Sequence, residues 1–349
     1  MNNESVMFTN GHSFNKMINI NRNYYALNTF EIKKWMVDRM NKVEIHILGG
    51  FLGSGKSTLL QNLLLAEKKK NRKVAVLMNE IGEYSVDTDI IGKENVLREL
   101  LKGCICCTLK EELEIQLHSL YQQERPDVIY IETTGVAHPI EVLDACVSPI
   151  LAPFLEVKSI VVVLDAVRWL NRSVLSANVQ QLLHEQLKFG SHILINKSDL
   201  LTDADKNKVI EEVKVINNHA KLFETKYCNI SLEDIEDIEE AEFTNDAEHE
   251  TLHVKQHLHI QTMTYQFTKS IDQDKLYEWL SNLPDSIYRV KGFVKFHGDK
   301  YPHLFQYSFG VPTLLEQDFG FPTNLVVIGE GLDKNQLAEG LEKVELNSN

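Results

Sequence analysis

Basic residues are in short supply in this chain. Lys and Arg number 36 against 50 Asp and Glu in 349 residues, a formal net charge of -14 at pH 7. A protein that works chiefly by gripping phosphates of nucleic acid or of an anionic membrane needs the opposite balance. No nucleic-acid partner and no membrane partner is therefore expected. Long hydrophobic runs are missing too, since no stretch approaches the ~18 apolar residues that a spanning helix needs. Residues 1–41 hold no apolar signal segment, because Asn, Lys and Arg interrupt every short hydrophobic run. Cysteine is scarce, with five in all, too few and too unevenly placed for a disulfide framework. An acidic protein of the reducing cytoplasm is the expectation these absences leave. What is present is ordinary: 43% hydrophobic and 25% charged residues, enough for a sizeable core, in a length that suggests about two domains.

Residues 1–41 stand apart as an Asn-rich, mildly basic N-terminal extension, with a short helical candidate at Phe30–Met40; a poorly ordered terminus is expected. From Val43 onward, Val- and Ile-rich runs alternate with helical patterns. The runs are Val43–Leu48, Val74–Met78, Val128–Ile131, Ile160–Leu164 and Ile193–Ile195. The helical patterns are Ser57–Lys70, Leu109–Gln123 and Lys206–Asn217, with Lys221–Tyr227 as a last strand. Alternation of this kind predicts an α/β fold with a mostly parallel sheet flanked by helices, over residues 42–230. Ser231–Glu250 carries ten acidic residues and no Lys or Arg. It predicts a solvated, His-containing linker over residues 231–255. Residues 256–349 then predict a smaller α+β domain: strand His257–Phe267, helix Asp272–Leu283, strand Ile287–Phe296, irregular strands to Val311, strand Leu325–Ile328 and helix Lys334–Val344.

Gly50-Phe51-Leu52-Gly53-Ser54-Gly55-Lys56-Ser57-Thr58 follows the first strand and opens the first helix. That is the context of a phosphate-binding loop, in which glycines let the backbone N–H groups wrap the phosphates at a helix N-terminus. Gly53, Ser54, Gly55, Lys56, Ser57 and Thr58 are the binding candidates. Lys56 would reach the β- and γ-phosphates, and Ser57 would place its hydroxyl on Mg²⁺. Asn196-Lys197-Ser198-Asp199 follows a late strand. A carboxylate there can accept two parallel hydrogen bonds from the N1–H and exocyclic amine of guanine, a donor pair adenine lacks. Asn196 would brace the loop, the Lys197 stem would lie along the base, and Asp199 would select GTP over ATP. Glu132-Thr133-Thr134-Gly135 ends the third strand. Glu132 would orient Mg²⁺-bound or attacking water, and the Gly135 N–H would approach the γ-phosphate.

Three of the five cysteines sit within four positions, as Cys104-Ile105-Cys106-Cys107, ahead of a Thr108/Glu111 capping-box pattern. A helix start favours the thiolate, and thiolates suit Zn²⁺ or Cu⁺ over Mg²⁺. Three sulfurs leave a tetrahedral ion one ligand short, which fits a site that releases its metal. Redox-active or simply buried thiols are the alternatives, and Cys146 and Cys228 read as core. His249, His253, His257 and His259 share helical spacing in part, as an auxiliary metal stripe or as surface histidines.

Taken together these motifs resemble the CobW-like family of P-loop metallochaperone GTPases, whose members combine GGFLGSGKST, ETTG, CxCC and NKxD. Asn79-Glu80-Ile81-Gly82-Glu83-Tyr84-Ser85-Val86-Asp87 is similar to that family's switch segment, and Arg289-Val290-Lys291-Gly292 to its C-terminal RVKG. The resemblance covers Val43 to the C-terminus and leaves residues 1–41 outside. It implies that Glu80, Glu83 and Asp87 lie near the Mg²⁺ and transition-metal sites, with Glu83 beside Cys104, Cys106 and Cys107 on the transition metal and Asp87 with Ser57 on Mg²⁺. It further implies GTP hydrolysis coupled to delivery of a metal, zinc first and cobalt second, to a client metalloprotein, with self-association left open. A signalling or assembly GTPase without metal cargo, and a zinc-storage protein with a vestigial nucleotide site, are the rival readings.

Overall fold

The computed structural model describes residues 42–78, 109–133, 135, 139–236, 260–308, 310–318 and 320–346, and the backbone alone at 17–20, 23–26 and 96–99. Near the start, β1 (Met17–Ile20) and β2 (Asn23–Ala26) pair antiparallel. The first large unit then runs β3 (Val43–Gly49), α1 (Lys56–Lys70), β4 (Val74–Met78), β5 (Val96–Glu99), α2 (Leu109–Glu124), β6 (Val128–Glu132) and α3 (Pro139–Cys146). It continues through β7 (Leu155–Asp165), α4 (Ala166–Leu170), α5 (Ala177–Phe189), β8 (His192–Asn196), α6 (Asp203–Ile216), β9 (Lys221–Thr225) and α7 (Leu232–Glu236). Among the described residues seven strands form one sheet in the order β5-β4-β6-β3-β7-β8-β9, with every neighbouring pair parallel.

The strand chemistry explains the layers. Every residue of β4, β6 and β8 is buried, as it must be in a parallel sheet covered by helices on both faces. On one face α1 lays Leu59, Leu60, Leu63 and Leu64 against Leu48, Val76, Tyr130 and Leu194. At ~1.5–3 kcal/mol per buried leucine, this row contributes at most about 6–12 kcal/mol. On the other face α2, α3 and α5 contribute Leu117, Leu143 and Leu187. The carboxyl end of central β3 faces the point where chain order reverses between β6 and β7, the usual crevice of such sheets.

A second unit comprises β10 (Ile260–Gln266), α8 (Gln273–Ser281), β11 (Ile287–Val294), β12 (His303–Ser308), β13 (Val311–Leu315), β14 (Asn324–Glu330) and α9 (Lys334–Leu346). Its sheet is antiparallel, in the order β10-β14-β11-β12-β13, and packs Val290, Phe305, Leu325 and Val327 against Leu276, Leu280, Leu337 and Leu341 of the helices. Gly292 is obligatory where β11 meets β14, because a Cβ there would lie 1.9 Å from the Asn324 carbonyl oxygen.

The two units join through apolar and ionic contacts. Ile260, Val326 and Ile328 belong to the same buried cluster as Val142 and Leu143. Beside them Asp144 of α3, 2% exposed, faces Lys110 at 2.5 Å, Arg289 at 2.7 Å and Lys291 at 2.8 Å. Burial pushes the Asp144 carboxyl up, but Lys291 and Lys110 overrule it and hold it below the usual carboxylate range. Asn324 adds a hydrogen bond to the Pro149 carbonyl at 2.7 Å.

The sheet holds no antiparallel neighbour among its described strands, so "mostly parallel" sharpens to parallel throughout. Helices α3, α4 and α5 were not expected from the sequence: α4 has only five residues, and Gln and Asn dilute α5 until Leu183 and Leu187 are its only buried apolar residues. The acidic segment is not solvated from its first residue. Leu232 and Ile235 of α7 are buried in the α1 cluster, and Glu236 pairs with Lys70 and Arg72. The helix expected at Phe30–Met40 and the rest of the acidic stretch lie outside the described residues. Among the described residues no helix is long and apolar enough to cross a membrane.

Candidate functional site

The segment between β3 and α1 is a wrapped loop. Gly50 has φ +133°, and a Cβ there would lie 2.4 Å from the Val163 carbonyl oxygen. Gly55 has φ +115°, and a Cβ there would lie 2.6 Å from Asn196 Nδ2 and 2.9 Å from Cys228 Sγ. Only glycine satisfies both the space and the backbone at these points. The Ser54 N–H donates to the Phe51 carbonyl at 3.1 Å and closes the turn. Lys56 is buried, and its ammonium donates to the Gly50 carbonyl at 2.9 Å and the Phe51 carbonyl at 3.4 Å. The Ser54 hydroxyl is buried with no hydrogen-bond partner, an orphaned polar atom inside a loop shaped to take oxygen ligands.

Three further segments converge on this loop. Glu132, at the end of β6, accepts a hydrogen bond from the Ser57 hydroxyl at 3.3 Å. A hydroxyl and a carboxylate, both hard oxygen donors, therefore stand together where α1 begins, a set that suits Mg²⁺. Gly135 follows closely, and a Cβ on it would lie 2.7 Å from the Leu52 nitrogen. Its carbonyl accepts from the buried Gln186 at 3.1 Å. Asn196 donates to the Ser54 carbonyl at 2.8 Å and accepts from the Cys228 N–H at 3.0 Å. Lys197, in the left-handed region at φ +61°, ion-pairs with Asp165 at 2.5 Å. Asp199, one-third exposed, faces Lys226 at 3.5 Å. Gly53 sits at φ +75° on the open side of the loop, and Thr58 lies in the first turn of α1.

The structure thus brings Gly53–Thr58, Glu132, Gly135, Asn196, Lys197 and Asp199 to one end of the sheet. Glu80, Glu83, Asp87, Cys104, Cys106, Cys107 and the histidines 249, 253, 257 and 259 lie outside the described residues. The sequence reading missed the loop after β9, where Tyr227 and Cys228 both have positive φ. Cys228 is buried as expected of core, yet its thiol meets the Gly55 carbonyl at 3.3 Å, and burial pushes that thiol up to about 12. Asp165 was missed as well; an acid closing a buried strand was its only signal.

Comparison with known proteins fits this geometry. Residues 44–224 match the model of the CobW/HypB/UreG nucleotide-binding domain, and residues 260–345 match that of the cobalamin synthesis protein cobW C-terminal domain. The chain is 35% identical over 158 residues, 45% of its length and 47% of the relative's, to a protein of Escherichia coli named zinc chaperone YeiR. It is 28% identical over 269 residues, 65% of its length and 56% of the relative's, to zinc-regulated GTPase metalloprotein activator 1 of Dictyostelium discoideum. The chain thus spans about half the length of these relatives. A crystal structure of Zn(II)-bound YjiA GTPase from E. coli aligns over 87% of this chain and 99% of its own, at 22% identity and a TM-score of 0.46. With more than half of its residues inside the first match, the chain belongs to the CobW/HypB/UreG family.

Proposed function

We propose that this protein is a GTP-hydrolysing metallochaperone that carries zinc on Cys104, Cys106 and Cys107 and passes it to a client metalloprotein. The observation that carries the reading is the Asn196–Ser54 hydrogen bond of 2.8 Å, which ties the guanine-type tetrad to the phosphate loop and makes one nucleotide site of two distant motifs. Lys56 exchanges its loop carbonyls for β- and γ-phosphate oxygens, the stronger charged acceptors. Ser57 and Asp87 would hold Mg²⁺, which would supply positive charge to the terminal phosphates. Glu132 orients the attacking water, and the Gly135 N–H meets the γ-phosphate. Asp199 accepts the two guanine donors and is left unpaired by adenine.

The metal half of the proposal rests on the sequence: three thiolates at a helix start, in a family with relatives named zinc chaperones. Glu83 joins the thiolates as a further ligand, and the zinc is cargo rather than a resident cofactor. The test is GTP turnover and zinc binding on the full chain. Lys56→Ala abolishes hydrolysis, Asp199→Asn lowers the GTP-over-ATP preference by at least about 100-fold, and Cys106→Ser weakens zinc binding while leaving nucleotide binding intact. Zinc affinity unchanged in Cys106→Ser and in Cys107→Ser would remove the metal site from these residues. Competition against Co²⁺ identifies the cargo.

A further inference from the structure

At the phosphate end of this site stands an arginine that the motifs do not contain. Arg168 lies on α4, and its Nη1 donates to the Leu52 carbonyl at 2.8 Å. Its guanidinium stacks on the Phe51 ring, 4.9 Å from the centroid. Its backbone N–H donates to Asp165 Oδ1 at 3.0 Å, while Asp165 Oδ2 takes Lys197 at 2.5 Å. One carboxylate therefore fixes the turn carrying Arg168 and the lysine of the base-side tetrad together.

Two features separate Arg168 from an ordinary surface arginine. Arg72, Arg172 and Arg289 each face a carboxylate, whereas no carboxylate among the described residues pairs with the Arg168 guanidinium. Its charge is held by a neutral carbonyl and an aromatic face, both weaker partners than an anion. Its position is the second feature. The Phe51–Leu52 segment takes Lys56 at the Phe51 carbonyl, Arg168 at the Leu52 carbonyl and Gly135 against the Leu52 nitrogen. Lys56 and Gly135 are the elements assigned above to the terminal phosphate, and Arg168 adjoins the same two residues. Leu52 is itself 64% exposed, so among the described residues this end of the loop is open.

We propose that Arg168 is a cation supplied in cis to the terminal phosphate of bound GTP, leaving the Leu52 carbonyl for γ-phosphate oxygens as charge builds there. The planar guanidinium offers five N–H donors in a fork that matches phosphate oxygens. Short α4, fixed by Asp165, and the Phe51 ring pre-orient it, so little reorganisation is needed when charge develops. This inference rests on the nucleotide reading of the site and adds to it the residue that stabilises the transferring group.

The test compares full-length parent, Arg168→Ala and Arg168→Lys by single-turnover GTP hydrolysis and by binding of GDP with and without aluminium fluoride. Arg168→Ala is expected to slow hydrolysis of bound GTP about 100-fold or more, with GDP affinity held within about threefold. Affinity for GDP–aluminium fluoride falls by a factor comparable to the rate. Arg168→Lys keeps the charge without the fork and recovers part of both losses. An arginine that merely braced the loop would weaken GDP and GDP–aluminium fluoride equally; that result, or hydrolysis within about threefold of the parent, overturns the proposal. A parent that turns over GTP no faster than Lys56→Ala is a different outcome, and it overturns the nucleotide reading as well.

Discussion

Replacing Asp144 by Asn removes one carboxylate that three cations share across the junction of the two units. The cost follows from how each cation is solvated. The side chain of Lys291 is 5% exposed, those of Arg289 and Lys110 33% and 27%. Stranding the Lys291 ammonium in the interior costs about 3–5 kcal/mol, as for other broken buried pairs. Arg289 and Lys110 can turn to water and add less than about 1 kcal/mol each. Urea unfolding at pH 7, followed by tryptophan fluorescence, should therefore show a loss of roughly 3–5 kcal/mol with an unchanged slope. The loss carries a pH signature. Burial pushes Lys291 below the usual lysine range while Asp144 pulls it back up. Without that pull its folded pKa drops further below the unfolded value. The unfolded state then binds more protons, and stability rises with pH between the two values. The deficit of Asp144→Asn should narrow as pH is raised from 7 to about 10. A deficit under about 1 kcal/mol, or one that stays constant over that range, would refute the assignment of the cost to a stranded lysine.

Gly55→Ala drives a Cβ to 2.6 Å from Asn196 Nδ2 in a backbone conformation of φ +115°. Strain of about 1–3 kcal/mol should lower GDP and GTP affinity together by about 5-fold to 150-fold, read by titration of a fluorescent nucleotide; unchanged affinity would contradict the glycine's role. His46, buried in β3 and hydrogen-bonded to Ser159 at 2.7 Å, is lowered to a pKa of about 3, first by burial and then by Arg72. Its folded value lies below its unfolded one, so the stability it adds is full above pH ~6.5 and falls as the pH drops towards 3, by about 3 kcal/mol at pH 4. Unfolding of His46→Gln should show a correspondingly shallower acid limb, and parallel limbs for parent and variant would contradict it.

What was legible in the sequence is what is local. The phosphate loop spans nine consecutive residues at a strand–helix junction, and the glycine spacing, the lysine and the flanking Val/Ile runs all speak for one geometry. The tetrad Asn196–Asp199 is equally compact and follows an apolar strand. What was not legible depends on pairs far apart in the chain. Arg168 meets Leu52 across 116 positions and Arg289 meets Asp144 across 145, and no spacing rule marks either partner. Helix α5 escaped because Gln186 occupies a buried place that an amphipathic pattern would give to an apolar residue. Cys228 was legible as buried but not as a neighbour of Gly55, since a thiol in the core and a thiol under the phosphate loop look alike in one dimension. The acidic segment concealed a packed turn because Leu232 and Ile235, spaced by three, are outnumbered by carboxylates.

The metallochaperone function proposed above requires nucleotide state to control zinc affinity. A ligand shifts an equilibrium only if it prefers one state over the other. Zinc affinity of the full chain, measured by chelator competition in the nucleotide-free, GDP-bound and Mg²⁺–GTP-analogue-bound states, tests this directly. Coupling requires the GTP-analogue and GDP values to differ by at least about 10-fold, a coupling free energy of about 1.4 kcal/mol. The same affinity in all three states would contradict it.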